Sequence, residues 1–256
     1  MNVHDLFDLK GKTAVVTGGS IGLGNQIARG LAEAGANLVL CARKKERCDA
    51  LAEELRRDTG VEVLSLACNV SREEEVERLA LESISAFGAI DILVNNAGIT
   101  WGAKHDEMAA ADWQKVLDVN LNGTFFCCKH FGKAMLARRS GCIINISSIM
   151  ALRGENMTPA PSYTASKGAV ISYSRELAVQ WATQGIRVNV VAPGWFPTHQ
   201  TGMTLKKYED FIRSRIPMGR LGTEDELKGV VVFLASAAAS FLTGQTIVVD
   251  GGETAQ

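Results

Sequence analysis

Tyr163 and Lys167 stand four residues apart in Ser162-Tyr163-Thr164-Ala165-Ser166-Lys167, a spacing that puts both side chains on one face of a helix. A phenol ordinarily releases its proton near pH ~10, and an adjacent ammonium favours the phenolate. Such a pair can pass a proton to or from the oxygen of a reacting carbonyl. Ser148 follows the apolar run Cys142–Ile146 and can donate a hydrogen bond to that same oxygen; Ser147 is its rival. A second constellation lies near the N-terminus, where Gly18-Gly19-Ser20-Ile21-Gly22-Leu23-Gly24 follows Thr13–Thr17 and opens a helical pattern. Glycines let the chain turn tightly and approach a ligand closely. A helix N-terminus, with its free N–H groups, favours a pyrophosphate. Strand, glycine loop and helix in that order predict dinucleotide binding.

These residues need elements to hold them. Seven short apolar runs read as strands: Thr13–Thr17, Asn37–Cys41, Val61–Ala67, Ile92–Val94, Cys142–Ile146, Ile186–Val191 and Thr246–Val249. Between them, helical periodicity covers Gly22–Ala34, Lys45–Thr59, Arg72–Phe87 with Ser71 as its N-cap, Ala110–Arg139, Tyr163–Thr183, and Glu224–Ser236 behind Thr223. Strands that are apolar throughout are buried on both faces, as in a parallel sheet covered by helices. Right-handed β-α-β crossovers then give one doubly wound α/β domain of the Rossmann kind over residues 1–256, with a seven-stranded parallel sheet and helices on both faces. Ligands in such sheets sit beyond the carboxyl ends of the strands, where the glycine loop and Ser148 both fall.

Composition removes other classes. Lys plus Arg is 27 against 28 for Asp plus Glu, a net charge of −1, so no broad basic surface awaits a nucleic acid. No run of about 18 apolar residues is present for a membrane span, and the N-terminus lacks a signal-peptide core. Six cysteines include no Cys-x-x-Cys pair, and only four His accompany them. They read as reduced core thiols of a cytoplasmic protein, with no metal site expected.

Together these motifs resemble the short-chain dehydrogenase/reductase superfamily over essentially the whole chain. The resemblance rests on Thr17-Gly18-Gly19-Ser20-Ile21-Gly22-Leu23-Gly24, Asn95-Asn96-Ala97-Gly98, Asn120, Ser148, Tyr163-x-x-x-Lys167 and Pro193-Gly194. It implies Tyr163 as acid/base, Ser148 as its partner on the substrate oxygen, and Lys167 as the group that lowers the Tyr163 pKa and binds the nicotinamide ribose. It implies that Asn120, at a local helix distortion, holds a relay water near Lys167. The dinucleotide is expected to meet Gly18, Ser20, Ile21 and Gly22 at the loop, and Asn69 and Val70 near adenine. Asn96, Ala97 and Gly98 are expected behind the adenosine ribose, and Pro193, Gly194, Phe196 and Thr198 at the carboxamide end. The stretch Ala192–Thr198 is similar to members named gluconate 5-dehydrogenase or 3-oxoacyl-carrier-protein reductase. Two features depart from the family's pattern. Asn69 stands where an Asp is usual, and the stretch from Ser148 to Tyr163, with Arg153, Glu155, Asn156 and Met157, is about two residues longer.

The second strand ends in Cys41-Ala42-Arg43-Lys44-Lys45. Ala42 cannot bind ribose hydroxyls as an acidic residue does, and Arg43 suits a 2′-phosphate bidentately. The expected cofactor is therefore NADP(H), with NAD(H) less favoured. The expected activity is hydride transfer between nicotinamide and the carbonyl or secondary-alcohol carbon of a small or acyl substrate. Residues 197–216 are expected to form a mobile lid, with Met203, Leu205, Phe211 and Ile212 along an amphipathic helix. The resemblance implies a homotetramer, and apolar residues on more than one face of the two long helices offer surface for it. Two rival classes remain at this stage: a non-catalytic redox sensor, and an isomerase or dehydratase that recycles its cofactor.

Overall fold

In the computed structural model, which describes residues 2–256, seven strands form one parallel sheet. They are β1 (Thr13–Thr17), β2 (Asn37–Ala42), β3 (Val63–Ala67), β4 (Ile92–Asn95), β5 (Gly141–Ile146), β6 (Ile186–Pro193) and β7 (Thr246–Val249). Their spatial order is β3-β2-β1-β4-β5-β6-β7, so the direction of winding reverses between β1 and β4. A crevice is expected beyond the carboxyl ends at such a point.

Successive strand residues point to opposite faces, and the sheet therefore divides its apolar residues between two cores. Ala14, Val16, Leu38, Leu40, Ile92 and Val94 face one side with Ile27 and Leu31 of α1 (Gly22–Glu33), Leu51 and Leu55 of α2 (Lys45–Thr59), and Val231 and Leu234 of α8 (Lys228–Ala235). Val15, Val39, Leu93 and Ile143 face the other. There they meet Val76 and Leu79 of α3 (Glu73–Phe87), Phe131 and Met135 of α5 (Gly123–Arg138), and Leu177 of α6 (Pro161–Trp181). Each fully buried Leu or Ile adds roughly 1.5–3 kcal/mol over an exposed one. Strand β7, one of the two edges of the sheet, differs in that Val248 is exposed.

Four expected elements come out differently. The continuous helix Ala110–Arg139 is interrupted: α4 (Ala110–Leu117) passes through a π-helical turn at Asp118–Asn122 before α5 begins. Ser71 does not cap α3. Its N–H and hydroxyl both donate to Asn69 Oδ1 (3.3 and 2.9 Å), and Glu73, Glu74 and Glu75 instead supply negative charge at the helix start. The last helix begins at Lys228 rather than Glu224; before it residues 224–227 form turns, in which Glu226 accepts from the Thr223 N–H (2.7 Å) while paired with Arg220. Between β6 and α8, α7 (Gly202–Arg215) is kinked at Tyr208 (φ −133°, ψ 17°). Leu205 and Ile212 are buried there, whereas Met203 and Phe211 are exposed, so the four apolar residues do not share one face.

Among the described residues no helix is long and apolar enough to cross a membrane. No group of three or more His, Cys, Asp or Glu among them is placed to hold a metal.

Candidate active site

The loop after β1 is shaped by what a side chain there would strike. Gly18 and Gly22 have φ of +63° and +56°. A Cβ on Gly24 would stand 2.2 Å from the Gly18 carbonyl oxygen, so α1 can start this close to the loop only with glycine there. The loop after β4 is stitched to it. The Thr17 hydroxyl accepts the N–H groups of Asn96 and Ala97 (3.0 and 3.1 Å), and the Asn96 amide donates to Thr17 O (2.9 Å) and Gly18 O (3.2 Å).

At the carboxyl end of β5, Ser147 and Ser148 diverge. The Ser147 hydroxyl donates to the Lys167 carbonyl (2.8 Å) and is committed to holding α6. Ser148 faces Tyr163: burial pushes the Tyr163 phenol up, and the Ser148 hydroxyl opposes that shift. Lys167, one turn along α6, is buried. Its ammonium donates to the Ile146 carbonyl (2.7 Å) and lies 5.7 Å from the Tyr163 ring centroid. Burial lowers its pKa to about 8.

The π-helical turn explains Asn120. Its side chain is buried and does not line the cleft; it accepts from Ile99 N (2.8 Å) and donates to Ile99 O (3.0 Å) and Ser166 Oγ (3.0 Å). The turn thus ties the loop after β4 to α6. A Cβ on Gly98 would stand 3.4 Å from Asn120 Oδ1 and 3.5 Å from Lys167 Nζ, so both groups converge on Gly98.

These parts border one cleft of about 1000 Å³. Every residue expected at the dinucleotide lines it: Gly18, Ser20, Ile21, Gly22, Arg43, Asn69, Val70, Asn96, Ala97, Gly98, Tyr163, Lys167, Pro193, Gly194, Phe196 and Thr198, with Ser148 beside Tyr163. Arg43 and Lys44 stand at one end, and Thr100, His199, Gln200 and Thr201 also contribute to the lining.

A family model described as enoyl-(acyl carrier protein) reductase matches residues 18–254. The 2-dehydro-3-deoxy-D-gluconate 5-dehydrogenase of Bacillus subtilis is 40% identical over 253 residues, 98% of this chain and 97% of that protein. The 3-oxoacyl-(acyl-carrier-protein) reductase of Aquifex aeolicus is 37% identical over 244 residues, 95% of this chain and 98% of its own. A gluconate 5-dehydrogenase from Burkholderia cenocepacia, solved in complex with NADP and tartrate, superposes with a TM-score of 0.94 at 39% identity and full coverage of both chains. The chain belongs to the short-chain dehydrogenase/reductase family.

Against the pattern of that family, three details of the site stand out. The Asn69 side-chain oxygen already accepts twice from Ser71, so the acceptor expected near adenine is engaged within its own loop. Burial acts on both members of the pair, raising the Tyr163 phenol and lowering the Lys167 ammonium. Arg47 also lines the cleft and was not anticipated. Its signal was its place in the first turn of α2, directly after the basic run Arg43-Lys44-Lys45. Arg43, Lys44 and Arg47 are exposed, and none of them makes an ion pair among the described residues.

Proposed function

We propose that this protein is an NADP(H)-dependent oxidoreductase interconverting a ketone and a secondary alcohol. The observation that carries the reading is a single cleft running from three unpaired cations to Tyr163 and Ser148. The glycine loop suits a pyrophosphate at the start of α1, and Arg43, Lys44 and Arg47 suit a 2′-phosphate beside Ala42, which offers no carboxylate to a ribose. When bound, the nicotinamide supplies or accepts the hydride at the substrate carbon.

The chain's own residues manage the proton. Ser148 donates a hydrogen bond to the carbonyl oxygen and holds it by Tyr163. The raised Tyr163 pKa keeps the phenol protonated at neutral pH, ready to deliver its proton to that oxygen during reduction. Lys167, in its charged form, stabilises the phenolate left behind. Asn120 keeps the loop after β4 against α6, so that Gly98, Lys167 and Tyr163 hold their separation. Thr100, His199 and Gln200 in the cleft lining offer hydroxyl, imidazole and amide partners, which suits a small hydroxylated keto acid better than a long alkyl chain. The relatives named for gluconate derivatives agree with that preference.

The test is NADPH and NADH oxidation with 5-ketogluconate, an acetoacetyl thioester and simple diketones, alongside NADPH binding. Oxidation of NADPH by at least one ketone, faster than NADH, is expected. Tight binding with no turnover would favour a redox sensor, and product formation without net NADPH change an isomerase or dehydratase. We further infer a cytoplasmic homotetramer. The motive is apolar surface left open on β7 and on the outer faces of α5 and α6, at Val248, Phe125 and Val179. A monomer by light scattering at micromolar concentration would remove that inference.

A further inference from the structure

Four charged side chains far apart in sequence close into a ring of alternating sign. Arg153 Nη1 is 3.2 Å from Glu155 Oε2 and its Nη2 is 2.6 Å from Glu253 Oε1. Arg215 completes the circuit, with Nη1 3.3 Å from the same Glu155 oxygen and Nε 3.9 Å from the same Glu253 oxygen. Both carboxylate side chains are 1% exposed. Glu155 has a second duty: its other oxygen accepts the N–H groups of Asn156 and Met157 (2.8 and 2.9 Å), which folds its own loop.

The ring joins three segments. Arg153 and Glu155 lie in the lengthened stretch between Ser148 and Tyr163. Arg215 ends α7, and Glu253 belongs to the C-terminal turn. That turn is braced by Asp250, which accepts from the Thr254 N–H and hydroxyl (2.8 and 2.7 Å). It also holds the end of α7 directly, since Gln256 Nε2 donates to Arg215 O (2.6 Å) and Met218 N donates to Gly251 O (3.2 Å). Met157, Leu205, Ile212, Ile216 and Trp195 pack together beside it. The first half of α7 carries none of the polar ties, is held to this cluster through Leu205 alone, and is separated from the second half by the kink at Tyr208.

Desolvating four charges is costly, and an apolar filling often serves stability equally well. What alternating charges add is placement, because each group has only one arrangement that satisfies both neighbours. We propose that Arg153, Glu155, Arg215 and Glu253 are positioning residues for the carbonyl substrate. The ring pins residues 149–160 and the second half of α7 to the C-terminal turn, as a fixed wall of the substrate end. Only the stretch from Thr198 to Lys207 then hinges at Tyr208 to close over the substrate. The substrate role rests on the oxidoreductase reading above; the mechanical division of α7 does not.

Hydrogen exchange on the unliganded protein tests the division. Amides of 209–216 should exchange slowly and those of 199–207 fast. Glu155→Gln keeps an acceptor for Asn156 and Met157 but removes the charge; it should speed exchange at 209–216 and 253–256 together and leave 199–207 unchanged. Arg215→Lys, at a partly exposed position, should show the same pattern more weakly and covers the case in which Glu155→Gln fails to fold. With 5-ketogluconate or an acetoacetyl thioester, whichever wild type turns over, Glu155→Gln should raise KM about tenfold with kcat changed less than about threefold. NADPH affinity should stay within about twofold, because uniform loss of substrate positioning leaves the dinucleotide end untouched. Uniform exchange along all of α7, or release of 209–216 without 253–256, would overturn the proposal, as would an equal loss of NADPH affinity. Failure of the oxidoreductase reading would show separately, as absence of turnover in wild type with the exchange pattern intact.

Discussion

At the Arg43 end of the cleft, the glycine loop, Ala42 and Arg43, Asn69 and Asn96 each lie within a few residues of a strand's carboxyl terminus. Beyond the Tyr163 end, segments as much as 100 residues apart are joined by side chains such as Arg153 and Glu253. The dinucleotide end is therefore backbone made: its shape follows from where strands stop and where glycine permits a turn. The substrate end is side-chain made, and its shape depends on charges and apolar groups finding distant partners. One consequence is that substitutions at the first end should act on cofactor choice alone. Substitutions at the second should act on turnover, substrate affinity or stability.

The largest expected effect belongs to the chemical group itself. Tyr163→Phe should lower turnover by roughly 10²–10⁴-fold while NADPH affinity changes only a few fold, since the ring and its packing remain. A variant that keeps more than about a tenth of the wild-type rate would break the comparison by removing Tyr163 from proton transfer.

Lys167 sharpens the comparison through stability. Its folded pKa is about 8 against an ordinary 10.5, so between those values the unfolded chain binds more protons than the folded one. Stability due to this group therefore rises with pH across that window, and below pH 8 the buried ammonium costs about 3 kcal/mol. Lys167→Met should be inactive yet more stable than wild type in urea at pH 7, and the advantage should shrink as pH rises from 8 towards 10.5. A stability difference that does not change with pH would mean that Lys167 is not held against its solvation.

The smallest expected effect lies at the dinucleotide end. Arg43→Ala should weaken NADPH binding about ten- to a hundredfold and NADH binding much less, as for loss of one charged hydrogen-bonding contact. Arg47→Ala should act in the same direction. Equal losses for both cofactors, measured by fluorescence titration, would show that neither guanidinium reads the 2′-phosphate.

What could be read from sequence follows the same division. TAVVT and the glycines after it carry their fold in short-range pattern, since an apolar run followed by Gly18 and Gly22 leaves few other conformations. The same holds for the seven strands, whereas Asn69, Val70, Asn96, Pro193, Gly194, Phe196 and Thr198 were placed at the cleft only through the family resemblance. The π-helical turn at Asp118–Asn122 was not readable as a break, because helical periodicity runs through it without a proline; only the family resemblance placed a distortion at Asn120. Ser71 misled because a hydroxyl before a helix usually caps it, and here Asn69 takes that hydroxyl first. Arg153 and Glu155 stood out only as part of a lengthened stretch and Arg215 and Glu253 not at all, since pairing across 60 or 100 residues leaves no local trace. The kink at Tyr208 within the stretch 197–216 left no trace in its apolar pattern either.

The central claim is that a hydride passes between nicotinamide and a carbonyl carbon held by Ser148 and Tyr163. Incubation of the protein with NADPH deuterated at the transferable C4 position and a turned-over ketone, followed by mass and NMR analysis of the alcohol, tests it most directly. The account predicts one deuterium on the carbinol carbon and a solvent-derived proton on the new hydroxyl. Deuterium retained in the cofactor while product forms, or lost to water, would contradict it.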